Sequence, residues 1–166
     1  INYLIDKAHS LAETFRVCLP DFAFLTVEDW QQQNCDERRE VLDLQLGWDI
    51  TDFGRGDFNQ MGLTLLTLRN GSLRHVGYSK PYAEKMLQIQ QYQQTPWHFH
   101  MYKMEDIVNR GGGDLCMQFV WSTPDGDFDR QKRVEVSVDG RRRCIKPGET
   151  LVLKPGQGVC LPPQLY

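Results

Sequence analysis

Apolar side chains recur near the start of the chain at Leu4, Ile5, Ala8, Leu11, Ala12 and Phe15. That is the i, i+3, i+4, i+7 spacing of an amphipathic helix, and Pro20 ends it. Thr26-Val27-Glu28-Asp29 reads as a variant capping box, a threonine N-cap with an acid three residues on, so a short helix through Trp30 is predicted. Asp36 to about Leu46 predicts another, with Val41, Leu42 and Leu46 on one side and Gly47 as its stop.

After about residue 50 the pattern shortens. Runs rich in β-formers alternate with turn residues: Leu63 to Leu68, Tyr82 to Gln90, Trp97 to Tyr102, Leu115 to Trp121, Arg133 to Val138, Leu151 to Leu153 and Val159 to Leu161. Asn70-Gly71, Gly111-Gly112-Gly113, Asp125-Gly126, Asp139-Gly140, Pro147-Gly148 and Pro155-Gly156 supply the turns. Many short strands with turn signals every ten or so residues predict an all-β sandwich or barrel. In the run from Tyr82, the residues Ala83, Lys85, Leu87 and Ile89 share one parity, which is expected to face the core. The organisation expected is a helical segment over residues 1–50 lying on a β-barrel over residues 51–166.

Bulk properties narrow the function classes. With 166 residues, 40% of them hydrophobic, the chain suits one domain with one core. Net charge is -3 and mean hydropathy -0.50, so no basic surface for nucleic acid is expected. Arg141-Arg142-Arg143 follows the turn Asp139-Gly140 and reads as a solvated hairpin. No apolar run approaches the roughly 18 residues of a membrane helix, and no leader peptide opens the chain. The five cysteines are odd in number and lack CxxC spacing, which fits free thiols in a reducing cytoplasm. Cys116 and Cys160 lie in apolar runs and are expected to be buried. A start at Ile1 and an abrupt stop after Leu161-Pro162-Pro163-Gln164-Leu165-Tyr166 read as a piece of a longer protein.

His98-Phe99-His100 carries the chemistry. In a strand, side chains at i and i+2 point to one face, about 7 Å apart at the backbone, so two imidazoles would chelate with a third arm. Glu105 is the candidate arm. Its parity is wrong for an unbroken strand, so a bend is predicted between Met101 and Met104. A histidine pair on an aromatic wall with a solvated Glu105 is the bland alternative. His9 and His75 have structural or solvated readings.

His98-x-His100-x4-Glu105-x6-Gly112 resembles the first signature of the cupin superfamily, and Gly156-x5-Pro162 resembles the start of the second, with Gln164 where that pattern prefers glycine. Narrower stretches resemble the D-lyxose isomerases within the cupins. These are Leu44-x-Leu46-Gly47-Trp48-Asp49, Gly62-Leu63-Thr64-Leu65, Thr67 to Gly71, Tyr82-Ala83-Glu84-Lys85 and Thr95-Pro96-x-His98-Phe99-His100. Leu161-Pro162-Pro163-x-Leu165-Tyr166 adds another, and Lys103-x-Glu105-Asp106-Ile107-x-Asn109-Arg110-Gly111-Gly112-Gly113 is the most distinctive.

The resemblance implies a mainly β cupin jelly-roll barrel preceded by N-terminal α-helices. It implies an enzyme interconverting D-lyxose and D-xylulose, with mannose and fructose as secondary partners. The divalent metal, usually manganese, would be held by His98, His100, Glu105 and a final histidine expected just past Tyr166. Mixed nitrogen and oxygen ligation also suits iron, with cobalt, nickel and zinc possible by affinity. By the same resemblance Lys103 would contact substrate oxygens and stabilise charge, with an exposed lysine as the alternative. Lys85, on the parity read as core-facing, is assigned to the sugar cavity. Trp97 would wall the pocket or serve as a core aromatic. Arg110 and Asn109 would bind sugar hydroxyls or stabilise the turn. Glu105, read as a catalytic residue through its role as ligand, is for that reason a poor choice of base. The base for the C2 proton is expected to be a carboxylate beyond Tyr166. A homodimer is expected, since cupins often dimerise. The competing readings are a non-haem iron oxygenase, whose ligand set is similar, and a non-catalytic sugar-binding cupin.

Overall fold

The computed structural model describes residues 1–32, 36–72 and 77–166; Cys35 and His75 lie outside the described residues. The chain divides into two compact units, Ile1–Pro96 and Trp97–Tyr166. It is mainly β with helices at its start. Among the described residues the strands pair in four separate sheets of three, two, four and two strands rather than as one closed barrel. Among them, too, no helix is long and apolar enough to cross a membrane.

In the first unit, helix α1 (Asn2–Thr14) buries Ala8 and Ala12, one turn apart. The apolar stripe is narrower than its sequence pattern, since Leu11 and Phe15 are exposed. Helix α2 (Val27–Gln32) starts at the expected capping box. The Thr26 amide donates to Asp29 Oδ2 (2.9 Å), and the Asp29 amide donates to Thr26 Oγ1 (3.1 Å). Helix α3 is shorter than predicted, Arg39–Asp43. It stops where Gln45 turns left-handed (φ 54°) and Gly47 follows at φ 116°.

Gly47 also opens strand β1 (Gly47–Thr51), inside the segment read as helical. β1 pairs antiparallel with β2 (Leu63–Arg69), and β2 with β3 (Glu84–Gln88). Leu66, at the centre of β2, is fully buried, which contributes roughly 2 kcal/mol. The parity expected to face the core in β3 is reversed. Lys85 and Leu87 are exposed, while Met86 and Gln88 are half-buried. The reason is α1: Gln88 Nε2 donates to the Ala8 carbonyl at 2.9 Å, so that face of the strand meets the helix.

The second unit is built on the sheet β4-β11-β8-β9. Its strands are β4 (Glu105–Val108), β8 (Val134–Val138), β9 (Arg141–Ile145) and β11 (Gly158–Leu161). β5 (Leu115–Gln118) pairs with β10 (Thr150–Leu153), and β6 (Trp121–Ser122) with β7 (Phe128–Asp129). The core is Phe119, Val134, Val136, Val138, Leu153, Val159 and Leu165. Alternation along β8 puts its three valines inside. The basic run is the solvated hairpin arm expected: Asp139 and Gly140 take φ 49° and 76°, and Arg141, Arg142 and Arg143 are exposed.

The cysteine expectation fails by the same alternation. Leu115 and Met117 turn toward the core, so Cys116 between them is exposed. Cys160 neighbours the buried Val159 and is only half-buried. Burial first, then a hydrogen bond and charge from Asp106, the residue opposite on β4, push the Cys160 thiol above its usual pKa.

Candidate metal centre

The segment predicted as a strand over Trp97–Tyr102 is irregular. Alternation nevertheless survives in it. Trp97 and Phe99 turn to an aromatic cluster: Trp97 lies 5.3 Å from Phe128, Phe99 lies 4.6 Å from Tyr166, and Phe128 lies 4.6 Å from Tyr166, all edge-on. His98 and His100 share the other side, with ring centroids 5.5 Å apart. A main-chain bond from the Gln164 amide to the His100 carbonyl (2.8 Å) holds the segment.

The chain then bends at Met101-Tyr102, as the parity argument required. The bend resets the phase. Glu105 enters as the first residue of β4 on the same side as Ile107, which packs against the core. Ligand-capable atoms of His98, His100 and Glu105 all lie within 4.8 Å of one another. Bend and strand together thus bring three donors from an eight-residue stretch to one point.

His100 Nε2 stands 3.1 Å from Glu105 Oε1, and Lys103 Nζ stands 2.8 Å from the same oxygen. Burial lowers the His100 pKa. Glu105 opposes this, while Lys103 and His98 add to it, and the net direction is downward, toward the neutral ring. The shift weights the His100–Glu105 contact toward a hydrogen bond from the neutral imidazole. Burial pushes the Glu105 carboxyl up. The hydrogen bond and charge of Lys103, then the charges of His100 and His98, more than reverse it, so the carboxyl titrates below its ordinary value. Two imidazoles beside a carboxylate form a donor set suited to a divalent cation.

The other residues singled out from the sequence are distributed differently. Trp97 is exposed beside the aromatic cluster. Arg110 is exposed beyond the far end of β4, five residues along the chain from Glu105. Asn109 is buried in the turn, where its side chain donates to the Gly113 and Leu153 carbonyls and accepts from the Gly111 amide. Of its two readings, turn stabilisation is the one realised. Lys85 belongs to the first unit, where it lines a polar cleft of about 360 Å³ with Asp49, Thr67 and Asn70. His9 is structural: its Nε2 is 3.0 Å from the Ala23 carbonyl, and its ring meets Phe24 and Trp48.

The hold of Lys103 on Glu105 was not foreseen from the sequence. The Lys-x-Glu spacing was the available signal. Phe128 and Tyr166 were not foreseen as the wall behind the histidines, because nothing local joins residues so distant in the chain.

The family model described as D-lyxose isomerase matches residues 1–166. A D-lyxose/D-mannose isomerase of Escherichia coli O157:H7 is 43% identical over 166 residues, which is all of this chain and 73% of that protein. A protein of the same name from Serratia proteamaculans is 42% identical, again over the whole chain and 72% of its own length. A match along every residue, with relatives this similar, means that the chain belongs to the D-lyxose isomerase family.

Proposed function

We propose that this protein is a metal-dependent aldose–ketose isomerase that interconverts D-lyxose and D-xylulose and also accepts mannose and fructose. The convergence of His98, His100 and Glu105 within 4.8 Å carries the reading, and the names of the relatives support the substrate class. Isomerisation moves one proton between C1 and C2 and another between the two oxygens, with negative charge developing on the carbonyl oxygen. A divalent cation at the triad, manganese by preference, would supply Lewis acidity toward that charge.

The chain's own residues set the conditions. His98 and His100 offer ring nitrogens, and burial disfavours the imidazolium at His100. Glu105 offers an anionic oxygen, which leaves it a poor choice for taking the C2 proton. Lys103, adjacent and more than half exposed, can present an ammonium to a substrate oxygen and stabilise charge there. Trp97 keeps an exposed ring edge on the aromatic side of the segment, where it is proposed to wall the approach to the site. The active form is proposed to be a homodimer in the cytoplasm.

The test is an assay of the purified full chain, stripped of metal and reloaded with Mn2+, for ketose formed from D-lyxose. Ketose formation abolished by His98→Ala is expected. Oxygen uptake with Fe2+ and no ketose with any divalent cation would overturn the isomerase reading in favour of an oxygenase.

A further inference from the structure

Two donors lie close to Glu105 Oε1. His100 Nε2 lies at 3.1 Å and Lys103 Nζ at 2.8 Å. A carboxylate carries about four lone-pair sites, two on each oxygen, so both sites of Oε1 are taken. An incoming cation that uses this oxygen must displace one of them. His100 is itself a donor of the triad and can turn its nitrogen to the cation without leaving. Lys103 cannot: an ammonium has three N–H donors and no lone pair, and a cation beside it is repelled. Its side chain is 57% exposed on a flexible stem, so it can withdraw into water at little cost.

From this shared oxygen we infer that Lys103 is a resident competitor for the metal at Glu105, displaced when the metal loads. The inference rests on the metal reading above and adds a consequence. While the site is unloaded, the ammonium neutralises a half-buried carboxylate, which would otherwise face mainly imidazoles. Loading frees the same ammonium, so the lysine that could act on a substrate oxygen becomes available only once the cation is in place. Metal affinity is thereby held below what the three donors alone would give.

The experiment measures Mn2+ binding by titration calorimetry to the full chain after chelator treatment, for wild type, Lys103→Gln and Lys103→Arg. An exposed ion pair is worth little, and loss of repulsion adds to it, so Lys103→Gln should bind about fivefold more tightly. Lys103→Arg keeps the charge and should bind like wild type. The rise in Tm on adding Mn2+ should be larger for Lys103→Gln than for wild type, a second readout that does not depend on turnover. Unchanged or weaker affinity in Lys103→Gln, with wild type binding normally, overturns the competitor and leaves the metal reading intact. A wild-type chain that takes up no divalent cation overturns the metal reading, and the competitor with it.

Discussion

Two neighbouring stretches of the second unit hold similar polar residues and use them in opposite ways. In residues 109–113, Asn109 is buried, and its side chain makes three hydrogen bonds to main-chain groups of the turn and of β10. In residues 98–105, two imidazoles and a carboxylate converge while still partly open to water. His100 and Lys103 both meet the same Glu105 oxygen, Oε1. A buried polar group whose every valence is met by backbone is scaffold, because breaking it leaves orphans with no water to replace the loss. Polar groups that converge and keep spare capacity are poised for a ligand.

The largest effect should come from Asn109→Ala. It strands the Leu153 and Gly113 carbonyls and the Gly111 amide, at a cost of about 3 kcal/mol of stability. Urea unfolding would show this, while Mn2+ affinity per folded molecule stays as in wild type. Next, His100→Ala should shift the unfolding midpoint by no more than about 1 kcal/mol and weaken Mn2+ binding at least about 100-fold. If the two variants trade these behaviours, the division between scaffold and site is wrong.

The smallest effect concerns a third case, the capping box of α2, which is satisfied but exposed. Hydrogen bonds from the Thr26 amide and then the Thr26 hydroxyl hold the Asp29 carboxyl below its ordinary value. A group whose folded pKa is depressed stabilises above its unfolded pKa and loses that contribution as pH falls through the folded one. Fraying of α2 should therefore set in only below about pH 4, the ordinary carboxylate value. Thr26→Ala should move the onset of fraying upward, as followed by amide chemical shifts.

Much of this was legible in the residues, and the exceptions share a cause. Local signals held: Thr26 with Asp29 at the start of α2, Asp139-Gly140 at the hairpin, and the bend needed to bring Glu105 into phase with the histidines. Errors arose where a partner distant in sequence decided the outcome. The parity of β3 was reversed because α1, more than 70 residues earlier, covers the face bearing Gln88. Cys116 was placed inside because an apolar run hides its alternation until β5 is set against the core. The segment from Trp97 to Tyr102 has strand composition but no ladder. Aromatic rings from Phe128 and Tyr166 hold its odd residues where a neighbouring strand was expected.

Gln164, the residue that bonds to the His100 carbonyl, sits at φ 66°. Left-handed backbone costs a side chain roughly 1 kcal/mol or more, and a glycine there would relieve it. The two prolines before it stiffen the approach, so the histidine stretch is moored to an inflexible hook rather than to a ladder. A change of one residue in the length of that hook would be transmitted directly to the imidazoles, although no residue of the hook is itself a ligand.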